Sequence, residues 1–287
     1  MKLYLSLLTS CCAVLITLTG CASDGRSDRP AKSRAELITD LERRVAEEPG
    51  GAALDSLLTY YQEDLRDTSL SNGLRFDRAR YLAETAYARG DARAAYTQLL
   101  DAIGEYPKAP TRPQAALKLA DIAINKLDEP HTAELIFATL REQYPGHPAL
   151  ASIPAAYDEI SVDALQMQMQ REVYPAGAFD AQGALRYGQA SLAYTALERD
   201  ADRALKDHLA SGTILEDAGR ISLALDHYRR AQLRFAGHDK AGTAMFMEGF
   251  VLMEMSGDTV GGKAKIREFL GSYPAHALAK DARRMLE

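Results

Sequence analysis

The sequence has no tryptophan, and its three cysteines, Cys11, Cys12 and Cys21, all fall within the first 21 residues. Nothing beyond Cys21 can form a disulfide, supply a thiolate metal ligand or act as a thiol nucleophile. A dominant charge sign is also missing: 34 Lys and Arg stand against 40 Asp and Glu, interspersed along the chain, for a formal net charge of −6. No basic patch is available to neutralise phosphates, so nucleic acid is not an expected partner. Long apolar runs are confined to Leu3–Gly20, short for a membrane span of about 20 apolar residues. An alternating strand pattern is absent.

What is present begins with that run. It has one basic residue, Lys2, an apolar middle and small residues at its end, the layout of a secretory signal. It closes on Leu18-Thr19-Gly20-Cys21, which resembles the lipobox of bacterial lipoproteins, whose signal peptidase cuts before a cysteine that has received a diacylglycerol. Leu8-Thr9-Ser10-Cys11 fits the same pattern but leaves about half the usual apolar core before the cut; an uncleaved anchor helix is the alternative. The resemblance implies that residues 1–20 are removed, that Cys21 is the lipidated residue, and that acyl chains such as palmitate hold the protein on a membrane. One buried chain gives marginal binding and two or more hold firmly, at about 0.8 kcal/mol per CH₂. Ala22 in place of Asp implies, by the sorting habit of Gram-negative lipoproteins, the periplasmic side of the outer membrane. Losing Lys2 takes the formal charge from −6 to −7. Residues 21–32 are polar and small, a flexible tether with a reach of about 20 Å.

Beyond the tether the periodicity is helical almost throughout. Ser33-Arg34-Ala35-Glu36 has the form of a capping box, and its helix stops at Pro49-Gly50-Gly51. Leu54, Leu57, Leu58, Tyr61 and Leu65 form one stripe, and Ile221, Ala224, Leu225, Tyr228, Ala231 and Phe235 another. Breakers recur between such stretches, among them Tyr-Pro at 106–107, 144–145 and 273–274. The chain reads as all-α with short connections.

The spacing of these features resembles the tetratricopeptide repeat. In 76–109 the matching residues are Leu82, Ala83, Gly90, Ala95, Leu99, Ala102 and Pro107; in 114–147 they are Ala133, Phe137, Leu140 and Pro145, with a less typical first helix carrying Leu117, Ala120 and Ile124. In 205–238 they are Gly212, Leu215, Gly219, Ala224, Tyr228 and Ala231, with Ala236 in place of the closing proline. A fourth copy at 242–275 uses Gly249, Leu252 and Ala264 if three residues are inserted in its turn. The resemblance implies a tetratricopeptide-like solenoid of antiparallel helix pairs, nearest-neighbour contacts, and a concave face built by the first helix of each pair. A helical bundle without solenoid order is the competing architecture. The expected organisation is a signal at 1–20, a tether at 21–32, N-terminal repeats at 33–146, a helical segment of uncertain repeat class at 147–200, and C-terminal repeats at 201–287.

No catalytic constellation emerges, and neither a cofactor nor a metal is expected. Gly257–Ala264 matches a P-loop until Ala264 stands where Ser or Thr must hold Mg²⁺, and no strand precedes it, so it reads as a long repeat turn. The six histidines (131, 147, 208, 227, 238 and 276) include no i, i+4 pair and read as surface or capping residues. The Met-rich stretches at 163–175 and 245–255 read as core filler.

Binding is the expectation that the tetratricopeptide resemblance leaves. Its groove positions fall on Arg80, Glu84 and Tyr87 of the first unit and Lys118, Asn125 and Lys126 of the second. Glu84 and Ile122 stand where the family's carboxylate clamp would need Asn, so that ligand class is not expected. Lipobox and repeats together resemble two families of envelope lipoproteins, the repeat component of the β-barrel assembly machine and the periplasmic protein that coordinates cell-wall synthesis with constriction. Residues 33–66 hold plain amphipathic helices where the former carries an aromatic-rich repeat. The implied function is a membrane-anchored scaffold that docks peptide-like segments of envelope proteins in outer-membrane assembly. The alternative is a lipoprotein binding an envelope glycan or small ligand, which the lack of Trp disfavours.

Overall fold

The computed structural model describes residues 32–157 and 161–287. Cys21, the signal stretch and the tether up to residue 31 lie outside the described residues. The described residues form thirteen α-helices and no strand: α1 (Arg34–Glu47), α2 (Gly51–Arg66), α3 (Asn72–Ala88), α4 (Ala92–Glu105), α5 (Arg112–Leu127), α6 (Pro130–Gln143), α7 (Val162–Val173), α8 (Ala181–Leu197), α9 (Ala201–Asp217), α10 (Ile221–Arg234), α11 (Asp239–Glu254), α12 (Thr259–Ser272) and α13 (Ala279–Leu286). Consecutive helices pack as antiparallel hairpins, giving an all-α helical-repeat fold.

Local chemistry sets the boundaries. The capping box at Ser33 is formed, with the Glu36 amide donating to Ser33 Oγ at 3.3 Å and the Ser33 amide to Glu36 Oε2 at 2.7 Å. Gly90 and Gly219 take φ of +87° and +67°, the left-handed step that lets a helix end in a Schellman pair of bonds. At the first, Asp91 N donates to Ala86 O at 3.0 Å and Gly90 N to Tyr87 O at 2.9 Å; at the second, Arg220 N donates to Leu215 O at 2.8 Å and Gly219 N to Glu216 O at 2.9 Å. Within a hairpin the small positions allow close approach. A Cβ on Gly212 would overlap the Tyr228 ring, which is why Gly on α9 and an aromatic on α10 go together.

The corners between hairpins repeat a device. Tyr144, Phe235 and Tyr273 end α6, α10 and α12, and each accepts a backbone bond from a histidine three residues on. The Nδ1 atoms of those histidines, His147, His238 and His276, accept from the amides of Ala149, Lys240 and Leu278 at 3.1, 3.2 and 3.1 Å. Capping is therefore the role of these three. The expectation fails for His208 and His227, which are buried against each other.

Two further expectations are corrected. In the last hairpin the turn between α11 and α12 has four residues, one more than the turns at 89–91 and 218–220, and no three-residue insertion exists. The close approach is made by Gly249 against Gly262 and Ile266, while Ala264 is exposed. Thr259 to Ala264 is accordingly the start of α12, with Asp258 as its cap, rather than part of a long turn. The Met-rich stretches divide: Met169 and Met245 are buried, whereas Met167 and Met255 are exposed.

The nearest-neighbour expectation also fails, at α8. From Tyr187 to Leu197 this helix is buried almost all round, and it packs on α4 and α6 as well as on α7 and α9. Its sequence explains this, since Arg186 is its only charged residue, and a helix without a polar face is an interior helix. The connection between α6 and α7 is much longer than the turns within hairpins and carries 3₁₀ turns at 148–152 and 155–157. The α8 C-terminus is then met by two arginines. Buried Arg112 of α5 donates to the Ala196 carbonyl, to Ile103 O at 2.9 Å and to Tyr144 Oη at 2.5 Å; Arg234 of α10 donates to the carbonyls of Thr195 and Glu198. Cations there satisfy carbonyls that the helix leaves unpaired and complement its dipole.

Candidate functional site

The six residues expected on a groove come from the parallel first helices of two successive hairpins. On α3, positions 80, 84 and 87 share a face by helical spacing; on α5, positions 118, 125 and 126 lie along one side. Thr111 Oγ1 donates to Asp77 Oδ1 at 3.3 Å and fastens the start of α5 to the start of α3. One pair stays on its own helix: Arg80 Nη1 and Glu84 Oε1 form an i, i+4 ion pair at 2.6 Å. That contact occupies the carboxylate of Glu84 with an internal partner.

Three of the others meet across the helices. The ammonium of Lys118 sits 3.9 Å from the centroid of the Tyr87 ring, and that of Lys126 sits 5.9 Å from it. Tyr87 is half-buried, and the two lysines, two turns apart on α5, both reach its ring. Such cation–π contacts contribute about 0.5–1 kcal/mol each at exposed positions. Asp121 completes the cluster: Lys118 Nζ donates to it at 2.8 Å and Asn125 Nδ2 at 2.7 Å. The Lys118 hydrogen bond, ahead of those from Asn125 and the charge of Lys126, holds the Asp121 carboxyl below its ordinary range. Asp121 is not among the residues expected from sequence; its i+3 spacing from Lys118 and i−4 spacing from Asn125 are the signal that points to it.

The extent of this face departs from a groove running along every first helix. The turn at 148–152 packs against α5, and α7 packs on α6 and α8 rather than continuing the row. Glu84, Asn125 and Lys126 are exposed on this α3–α5 face, which is bordered on its other side by α2, where Arg89 Nη2 and Asp55 Oδ1 pair at 2.9 Å. A separate cleft between α2, α3 and α4, lined by Leu65, Leu82, Gln98 and Tyr106 among others, encloses about 240 Å³, less than the roughly 300–1,000 Å³ usual for small-molecule sites. Among the described residues no three His, Cys, Asp or Glu side chains converge as a metal site, and no helix is long and apolar enough to cross a membrane. The chain matches no protein-family model, and no curated protein matches it.

Proposed function

We propose that the protein is a tetratricopeptide-type scaffold, anchored through Cys21 at the periplasmic side of an outer membrane, that docks peptide-like segments of envelope proteins in outer-membrane assembly. The observation that carries the docking reading is the Tyr87 ring contacted by the ammonium groups of both Lys118 and Lys126 on the uncovered α3–α5 face. An aromatic surface with two neighbouring cations offers an extended segment an apolar contact and charge-assisted hydrogen bonds together. The internal pairing of Arg80 with Glu84, and of Lys118 with Asp121, holds those side chains in place before a segment arrives. The lipobox resemblance supports the anchor.

The test compares immobilised mature protein with its Tyr87→Ala and Lys126→Glu variants in retaining envelope proteins from detergent extract, alongside co-sedimentation with purified cell wall. Retention by the wild type that both variants lose is the expected result. Co-sedimentation with cell wall and no retained protein would replace the scaffold by the glycan-binding alternative.

A further inference from the structure

The junction of α8, α9 and α10 holds an arrangement that packing does not require. His208 on α9 and His227 on α10 are each no more than 2 % exposed. Their ring centroids are 5.3 Å apart at 73°, and their Nδ1 atoms face each other at 3.1 Å. On its other side the His227 Nε2 stands 3.0 Å from the carbonyl oxygen of Gly188 on α8. A carbonyl only accepts, so His227 carries its proton on Nε2 and presents a bare Nδ1. His208 must then donate from its own Nδ1. The gap between the rings holds one proton; placing a second there sets two N–H groups against each other.

We propose that this pair is an acid-sensitive latch, closed while both imidazoles are neutral and opened when protonation sets two Nδ1–H groups against each other, that governs whether α10 stays docked on α9. Its position gives the opening a long reach. The same helix α10 carries Arg230, paired with Asp101 of α4 at 2.6 Å, and Arg234, which donates to the α8 carbonyls of Thr195 and Glu198. Loss of the His208–His227 contact therefore frees α10 from α9 and loosens the other attachments that α10 makes to α4 and α8.

The surroundings set the direction of the response. Facing the pair on α10 are Arg230, Arg234 and Asp226. Next to His208 on α9 is Asp207, which accepts from Tyr187 of α8 at 2.9 Å, from Ser191 of α8, and from Gln166 of α7 at 3.3 Å. Asp101 of α4 faces Arg230, and Arg112 of α5 stands near Arg234. Glu248 of α11 is taken by Arg229 at 2.7 Å. Burial first, then the neighbouring imidazole and the two arginines, holds His208 well below its ordinary value. Burial pushes His227 down to about 4, against the Gly188 carbonyl and Asp226, which favour its proton.

Both imidazoles are thus neutral when packed and titrate near 6.5 when released. Stability from the pair is fully present above about pH 6.5 and is lost as the pH falls towards about 4. Asp207 opposes this: its carboxyl, raised by burial to about 6, takes up a proton in the packed state and offsets part of the loss below that pH.

The experiment is amide hydrogen exchange of the full mature chain at pH 7.5 and pH 5.0, corrected for intrinsic rates, on wild type and on a His208→Gln/His227→Gln variant. The amide introduced by His227→Gln can still donate to the Gly188 carbonyl but cannot titrate in this range. Wild-type protection in α9 and α10 is expected to fall more than tenfold at pH 5.0 while α5 and α6 hold, and the variant is expected to keep its protection. Unchanged wild-type protection, or the same loss in the variant, would overturn the proposal. Should the variant not fold, nitrogen NMR of the wild-type imidazoles decides: protonated Nδ1 on His208 with protonated Nε2 on His227 at pH 7.5 supports the latch, and two like tautomers contradict it.

Discussion

Asp101 on α4 and Arg230 on α10 are 129 positions apart in sequence and are joined by a 2.6 Å ion pair. The contact marks the place where a row of helical hairpins folds back on itself, because α8 lies across α4 and α6 and brings α10 with it. Both partners are partly exposed, so the expected coupling is modest. A double-mutant cycle with Asp101→Asn and Arg230→Gln should give about 1 kcal/mol from urea unfolding. A coupling near zero would mean that the fold-back is held by Arg112, Arg234 and apolar packing alone.

The α9–α10 hairpin depends on a missing side chain. Gly212→Ala places a methyl group into the Tyr228 ring, and Tyr228 is itself fully buried with its hydroxyl donating to Glu216 at 2.5 Å. The substitution should cost about 1–3 kcal/mol. A Tyr228→Leu change in the same chain should recover part of that loss, read by the shift of the urea midpoint.

The corner histidines act as helix caps. His238→Ala removes the acceptor for the Lys240 amide and should lower stability by about 1 kcal/mol, whereas His238→Asn should retain most of it. Equal thermal midpoints for the Ala and Asn variants would contradict a capping role.

Asp207 provides a pH signature of the opposite sign to the histidines. Its raised folded value, about 6, means that stability from this group is present below the unfolded carboxyl range and is lost as pH rises through about 6. Asp207→Asn removes that loss. Relative to wild type, the variant should gain stability between pH 4 and pH 6 and hold a constant difference above, measured by urea unfolding at pH 4.5, 5.5 and 7.0.

Local signals carry much of this fold in the sequence. The capping box at Ser33, the turn glycines Gly90 and Gly219, and the stripes through Tyr61 and Tyr228 are each read within one or two helical turns, and the structure places them as read. What is not legible depends on distance along the chain. Nothing near Ala196 announces that Arg112 will cap its carbonyl, and nothing near His208 announces a partner at 227. In the last hairpin Gly262 and Ala264 are both small, and only the helix register shows that Gly262 is the one inside. On the α3–α5 face, the helical positions of Tyr87, Lys118 and Lys126 are legible, while the ring-to-ammonium contacts and the anchoring role of Asp121 require the relative placement of two helices.

The proposed function stands or falls on docking at that face, and site-specific photocrosslinking in cells reads docking without purification. Photoreactive residues would replace Tyr87 and Lys126 in the lipidated protein, with Ser222, exposed on α10, as the control position. Positions 87 and 126 should capture the same envelope protein, and position 222 should not. No protein captured at 87 and 126, or one captured equally at all three positions, would contradict docking on the α3–α5 face.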